Sequence, residues 1–388
     1  MLDPDDLAVL REAIHTCAGN DRRVLDALRE EVKVLTPKVR LIRPRTTTAV
    51  SLVASDGGNN SLEFDPFLFQ VVRVVDSCGK QLCLDVVSPT TDTDRLSSRQ
   101  FDAAGRPLTD LGFLMDRVGV KSRHLHELSP MIPTGDKVRE SPERVGTSWV
   151  QVYRDLVEWA VLYRLIVDTR FGSDTLIVRD GLLRSKIFSG SLFMDMMEDI
   201  EKSIGDAKTR HRRSIYLVGV AKHSKVLQRY QMALALENVI PPGDARFVPI
   251  PTELEAKAYR WAEWARGRED VGDQSEPAKF KAGQMFFVRF GRSASDPIWT
   301  IDILDSQAER AQEVFGYLLA DAINGFPVPY YPRCLQTAHE FAQLAGFDTD
   351  IVQREVLEAV RNLLPRDRRP ILDVAQLDAA DLSQRRYG

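Results

Sequence analysis

The run Ser51-Leu52-Val53-Ala54-Ser55-Asp56-Gly57-Gly58 constrains this chain more than any other. A short apolar stretch ends in a carboxylate, and two glycines follow. This pattern predicts the first strand of a mixed α/β domain, with Asp56 delivered to the sheet edge. Residues 68–76 and 81–87 are two further β-type runs, joined by Ser77-Cys78-Gly79-Lys80. Gly79 suits the positive-φ position of a tight turn. Strands on such short connections predict an antiparallel meander.

The remaining elements follow in order. Residues 5–35 carry Leu7, Leu10, Ile14, Val24, Leu25, Leu28 and Val32 at helical spacing, with Gly19-Asn20 as an expected break. Residues 38–50 are basic and β-branched and read as a linker. Residues 88–142 are rich in Ser, Thr, Asp, Pro and Gly and read as an insertion with short helices, one near 111–118. A long helix is predicted over 148–169, with a wide apolar stripe and Glu158 beside it. Then come a strand at 175–178 ending in Asp180-Gly181, a helix at 193–204 and a strand at 214–220 running into Lys222-His223. A helix at 225–238, a strand pair at 284–291 and 297–304, and helices at 308–324, 333–345 and 351–364 complete the pattern. Strands alternating with helices predict a mixed sheet flanked by helices. In an RNase H-like arrangement the first and fourth of these strands are neighbours, which would let Asp56 and Asp180 converge. Domain boundaries follow: an N-terminal helical arm and linker over 1–49, a domain over 50–345 carrying the insertion, and a C-terminal helix and tail over 346–388.

Composition bounds the function. The 388 residues are 44% apolar and 28% charged, which suits a globular chain with a sizeable core. The net charge of -4 gives no nucleic-acid signature, although only a phosphate-facing groove needs to be basic. Four scattered cysteines predict free thiols in a reducing compartment. A zinc site needs further Cys or His at close spacing, and none is read. The acidic N-terminus lacks a signal-peptide layout, and no run reaches the roughly 20 apolar residues of a membrane span. A cytoplasmic location is expected.

Carboxylates gathered in one cleft hold magnesium or manganese, because hard cations take oxygen ligands. A pair of such ions can drive phosphodiester hydrolysis. Asp56, Glu158 and Asp180 have that chemistry. The two Asp-Gly pairs read equally as ordinary turns, and Glu158 as an ion-pair partner of Arg154. Lys222 can meet a phosphate oxygen or stand solvated at a strand end. His339 can ligate metal or move a proton, or be a structural histidine. The cluster Lys208-Thr209-Arg210-His211-Arg212-Arg213 reads as a nucleic-acid grip or a solvated helix end. Arg260, Arg266 and Arg268 interleave with Trp261 and Trp264. They can stack on single strands, although a helix packing its tryptophans into the core is the favoured reading.

Five short motifs together resemble the NurA nuclease family, the DNA-end-processing partner of the HerA hexameric ATPase. They are Ala54-Ser55-Asp56-Gly57-Gly58, the helix carrying Glu158, Val178-Arg179-Asp180-Gly181-Leu182-Leu183, Gly219-Val220-Ala221-Lys222-His223-Ser224-Lys225, and Tyr330-Tyr331-Pro332 followed by Ala338-His339. They run in the family's order over residues 50–345. The resemblance implies an RNase H-like fold and manganese- or magnesium-dependent cleavage of DNA, 5'-3' exonucleolytic and endonucleolytic on single strands. It implies a homodimer docked on HerA, in repair or in defence against phage. It implies that Asp56, Glu158, Asp180 and His339 hold metal, and that Lys222, Tyr331 and His339 complete the catalytic site. Two departures stand out: Gly58 where the family has Ser, and Leu182 where it has a small polar residue. Neither removes a ligand. The alternative expectation is a non-catalytic adaptor of the same fold that docks DNA on an ATPase.

Overall fold

A computed structural model of the chain describes residues 3–45, 50–64, 67–120, 122–264, 280–344 and 347–370. Its strands are β1 (Arg40–Leu41), β2 (Val50–Phe64), β3 (Phe67–Asp76), β4 (Gln81–Val87), β5 (Asp174–Asp180), β6 (Ile215–Ala221), β7 (Arg246–Pro249), β8 (Gly283–Arg289) and β9 (Ile298–Leu304). Its α-helices are α1 (Pro4–Lys33), α2 (Thr93–Ser98), α3 (Asp110–Arg117), α4 (Leu125–Leu128), α5 (Gly135–Glu140), α6 (Trp149–Asp168), α7 (Leu192–His211), α8 (Lys225–Leu236), α9 (Thr252–Trp264), α10 (Ala311–Ala322), α11 (Arg333–Ala342) and α12 (Phe347–Leu363). Two compact units divide the chain: Met1–Ser55 with Leu162–Thr337, and Asp56–Val161 with Ala338–Gly388.

In the first unit the strands lie in the order β1-β7-β8-β9-β6-β5-β2. β2, β5 and β6 are parallel, with Leu52 opposite Leu176 and Ile177 opposite Leu217. β9, β8, β7 and β1 continue antiparallel from β6. The expected mixed α/β sheet is therefore present, and the first and fourth predicted strands, β2 and β5, are neighbours. Leu176, Ile177, Val178, Leu217, Val218 and Val220 are almost fully buried. Such continuous apolar runs are what parallel strands covered on both faces require. One core gathers Val32 and Leu35 at the end of α1, Val226 and Tyr230 of α8, and Met285 and Phe287 of β8. The last turns of α1 are fixed there by Glu31, which accepts from the Tyr230 hydroxyl at 2.7 Å and from Lys257 at 3.0 Å.

The second unit holds the antiparallel pair β3 and β4, with Val71 opposite Val86 and Val74 opposite Cys83. Its turn closes as expected. Asp76 Oδ1 accepts from the backbone N–H groups of Cys78 and Lys80, each at 2.9 Å, and Gly79 takes a φ of +80°. The insertion is four short helices. Asp92, Thr109 and Thr134 cap α2, α3 and α5 by accepting from backbone N–H groups of the first turn.

Two boundaries differ from expectation. α1 passes through Gly19-Asn20 without a break, because one glycine costs a helix interior only about 1 kcal/mol. β2 continues past Asp56-Gly57-Gly58 to Phe64, so Asp56 lies within a strand and not at its end. The four thiols are free, with Cys78 in the turn and Cys83 on β4. Among the described residues no helix is long and apolar enough to cross a membrane. The tail beyond residue 370, and Arg266 and Arg268, lie outside the described residues, as do the side chains of Arg260, Trp261, Trp264 and Asp56.

A buried charge cluster fixes the loop that follows β5. Asp302 of β9 has no exposed surface. Its Oδ2 accepts from Leu183 N and Arg184 Nε, each at 3.0 Å, and its Oδ1 accepts from Arg184 at 2.8 Å. Arg184 continues to Glu255 at 2.5 Å, and Glu255 accepts from Lys281 at 2.9 Å. Burial pushes the Asp302 carboxyl up to about 6, against the pull of Arg184. Arg184→Leu therefore leaves a buried carboxylate without its counter-ion. It should destabilise the protein by about 3–5 kcal/mol, read as a shift in the urea midpoint at constant slope.

The pH dependence of stability carries a second signature. A carboxyl raised in the folded state binds more protons there than in the unfolded chain. Its contribution is complete below the unfolded value near 3.9 and is lost as pH rises through about 6. Thermal unfolding scans of wild type between pH 4 and 7 should contain this falling component, and Asp302→Asn should remove it.

Candidate functional site

Three side chains from well-separated stretches meet at the carboxyl ends of β5 and β6, where open α/β sheets place their ligands. Asp180 is the last residue of β5 and lies opposite Val220 of β6. Its Oδ2 accepts from Lys222 Nζ at 2.8 Å, and its Oδ1 accepts from the Tyr331 hydroxyl at 3.2 Å. Lys222 Nζ also lies 5.4 Å from the centre of the Tyr331 ring. Asp180 keeps 20% of its side chain exposed and Lys222 35%, whereas Tyr331 is fully buried. Trp299 packs edge-on against Tyr331 at 4.9 Å and fixes its plane. The site is thus a carboxylate open to solvent, held from below by a buried phenol and from the side by an ammonium.

Backbone geometry explains how the sequence builds it. Gly181 adopts a φ of +103°, which turns the chain sharply after Asp180. Its N–H donates to Val220 O at 2.8 Å. The turn lies so close to β6 that a Cβ on Gly219 would sit 2.4 Å from Gly181 O. Arg179 bonds the Leu182 carbonyl at 3.1 Å, and Asp302 holds Leu183 and Arg184 beyond it. Leu182 is a backbone participant in this turn. On the other strand, Ser224 caps α8 through Leu227 N and sets where Lys222 leaves β6.

Glu158 and His339 belong to the second unit. Glu158 sits on α6 with Arg154 Nε at 3.2 Å, one helical turn away. The ion-pair reading of Glu158 is therefore realised, and the glutamate is only 16% exposed. His339 lies on α11, half-buried, with its Nε2 2.8 Å from Gln343 Nε2.

The basic cluster forms the last turn of α7 and the exit from it, with Arg212 in the left-handed conformation. Lys208 donates to Ser214 at 2.8 Å, and Arg210 pairs with Asp206 at 3.4 Å. Arg170, Arg210, His211 and Arg213, with Asp168 and Asp206, line a cavity of ≈ 400 Å³. The cluster is thus an exposed helix end that borders a basic hollow.

Among the described residues, one group of three side chains can offer ligand atoms to a single ion: Asp94, His124 and His126. The sequence reading misses it. Its sequence signal is the spacing His124-Leu125-His126, which stands far from every cysteine.

No protein-family model matches the chain, and no curated protein matches it. Among solved structures the chain is similar to the NurA nuclease from Sulfolobus solfataricus. The two share 14% identity at a TM-score of 0.44, over 94% of this chain and 99% of that one. It is also similar to NurA bound to dAMP and manganese, at 13% identity and a TM-score of 0.37, over 93% of this chain and 99% of that one.

Proposed function

We propose that the chain is a metal-dependent deoxyribonuclease that hydrolyses phosphodiester bonds. The observation that carries this reading is the convergence of Asp180, Lys222 and Tyr331 on one solvent-open carboxylate. These residues are widely separated in sequence. The order of the five motifs supports the same reading. The register of β2 on β5 ends at Ser55 opposite Arg179, and each of these is followed in the chain by a proposed ligand, Asp56 and Asp180.

The carboxylate fits a hard divalent cation in being a partly exposed oxygen donor, and Lys222 would have to release it on binding. Asp180 would be one ligand of that cation, and the family resemblance adds Asp56, Glu158 and His339 as the other expected ligands. Bound Mg²⁺ or Mn²⁺, as one ion or a pair, supplies Lewis-acid neutralisation of the phosphate. The buried Tyr331 hydroxyl holds Asp180 in one rotamer, so the carboxylate need not reorganise during the reaction. Lys222 exchanges its bond to Asp180 for a phosphate oxygen and meets the charge that grows there. His339, positioned by Gln343, takes a proton or completes the ligand set. We further propose that the nuclease domain spans 50–345. It processes DNA ends as a homodimer with a HerA-type hexameric ATPase, in repair or in defence against phage.

A second reading draws on the same ion pair. With Lys222 as a permanent counter-ion Asp180 needs no metal, and the chain would be an adaptor that presents DNA to an ATPase. Incubation with single- and double-stranded DNA separates the two. Wild type should cleave with Mn²⁺ and stop on chelation, and no cleavage with Mn²⁺, alone or with the ATPase, would sink the nuclease reading.

Substitutions assign the roles. Asp180→Asn should abolish cleavage and Lys222→Met should slow it by about 10²–10³. Tyr331→Phe should cost about 10–100-fold, mainly through weaker metal dependence, because it loosens the ligand without removing it. Single-turnover rates across a Mn²⁺ titration measure all three. An Asp180→Asn protein as active as wild type would refute the site.

A further inference from the structure

We propose that Asp94, His124 and His126 form a zinc site that staples the inserted segment of the second unit. The ligand atoms of the three side chains lie within 4.8 Å of one another. Asp94 stands in the first turn of α2. His124 occupies the cap position of α4, and His126 lies in its first turn. The two helices are already registered by Ser97, whose hydroxyl accepts from Leu125 N at 3.0 Å, above a floor of Leu96, Leu125 and Leu128.

The electrostatics ask for a cation. His124 Nδ1 is buried and lies 3.2 Å from Asp94 Oδ1, yet the pair lacks hydrogen-bond geometry. Two lone-pair acceptors at that distance repel unless a proton or a metal ion sits between them. The second oxygen of Asp94 accepts from Arg139 at 2.9 Å, and Arg139 also binds Asp92 at 2.8 Å and Asp136 at 2.6 Å. One guanidinium against three carboxylates leaves a local charge of −2, which a divalent ion neutralises. Arg139 orients the ligating carboxylate, as outer-shell partners do in metal sites.

The donor set selects the metal. Two imidazole nitrogens and one carboxylate suit zinc and its first-row neighbours, whereas magnesium and calcium prefer oxygen alone. Zinc–ligand bonds of about 2.0–2.2 Å bring tetrahedral ligand atoms to roughly 3.4 Å apart. The three side chains are half-buried, so rotation about χ1 and χ2 can close the difference. Three protein ligands leave a fourth position for water. The bland alternative is a protonated His124 in a poor ion pair with Asp94, which predicts no metal uptake.

The test uses the full chain, freed of metal, in the Asp180→Asn background so that the β5 site does not contribute. Zinc titration followed by calorimetry should give one equivalent bound, with a rise in Tm of roughly 5 °C or more near saturation. Cobalt in place of zinc should give the visible absorption of a four-coordinate ion. His124→Gln, His126→Gln and Asp94→Asn should each weaken zinc binding at least roughly tenfold, while their metal-free unfolding curves match the parent. Should a variant not fold, protection of His124 and His126 from diethyl pyrocarbonate by zinc reads the same site. No uptake by the parent, or uptake undiminished in all three variants, overturns the proposal.

Discussion

The buried carboxylate of Asp302 is the interaction on which the first unit's chemistry depends. A charge with no exposed surface is costly unless it is paired and hydrogen-bonded. Asp302 meets that demand with three donors drawn from Leu183 and Arg184. Satisfying the charge therefore dictates where residues 183 and 184 lie, and with them the turn that leaves β5. The pair is reinforced by Glu255 and Lys281, so the buried cluster holds two cations against two anions. Such a cluster adds little net stability over an apolar core. Its value lies in specifying a single loop conformation beside Asp180.

That loop also shows how small residues transmit a constraint. Gly181 supplies the left-handed turn and Gly219 the space for it against β6. Asp180, at the end of β5, is thus fixed from both sides: by the sheet register before it and by the Asp302 anchor after it. Tyr331 arrives from 151 residues away and is immobilised by Trp299. The backbone on either side of Asp180, and the buried Tyr331 hydroxyl, thus set where its carboxylate stands.

Much of this was legible in the residues because it is local. Apolar, β-branched runs mark β3 through β6, Gly79 marks the turn, and the apolar stripe of α6 marks its length. Asp180 and Lys222 are legible because each follows an apolar strand, whereas Tyr331 is named only through the family resemblance. What was missed is tertiary. Asp302 announces itself only as a lone charge within Ile298-Trp299-Thr300-Ile301-Asp302-Ile303-Leu304, and its partner lies 118 residues away, beyond any periodicity. The end of β2 differs from expectation because two glycines read as a stop, whereas the strand runs through them to Phe64. His124 and His126 were visible, but the third ligand, Asp94, is thirty positions earlier and joins them only once α2 and α4 pack.

The resting state of Asp180 sharpens what a reaction there requires. An ammonium 2.8 Å from the carboxylate, in a setting one-third exposed, is a modest interaction, worth about 1 kcal/mol or less. A phosphodiester approaching with divalent cations would offer Lys222 a second anionic partner, whose charge grows in the transition state. The Asp180–Lys222 bond holds both partly exposed groups aimed at one another, and on the proposed reading substrate would take over the lysine. Tyr331 makes the exchange orderly, because its hydroxyl donates to the other carboxylate oxygen and need not move. An arginine at this position would behave differently. A bidentate guanidinium would hold both carboxylate oxygens at once, compete with Tyr331, and turn a releasable counter-ion into a permanent one.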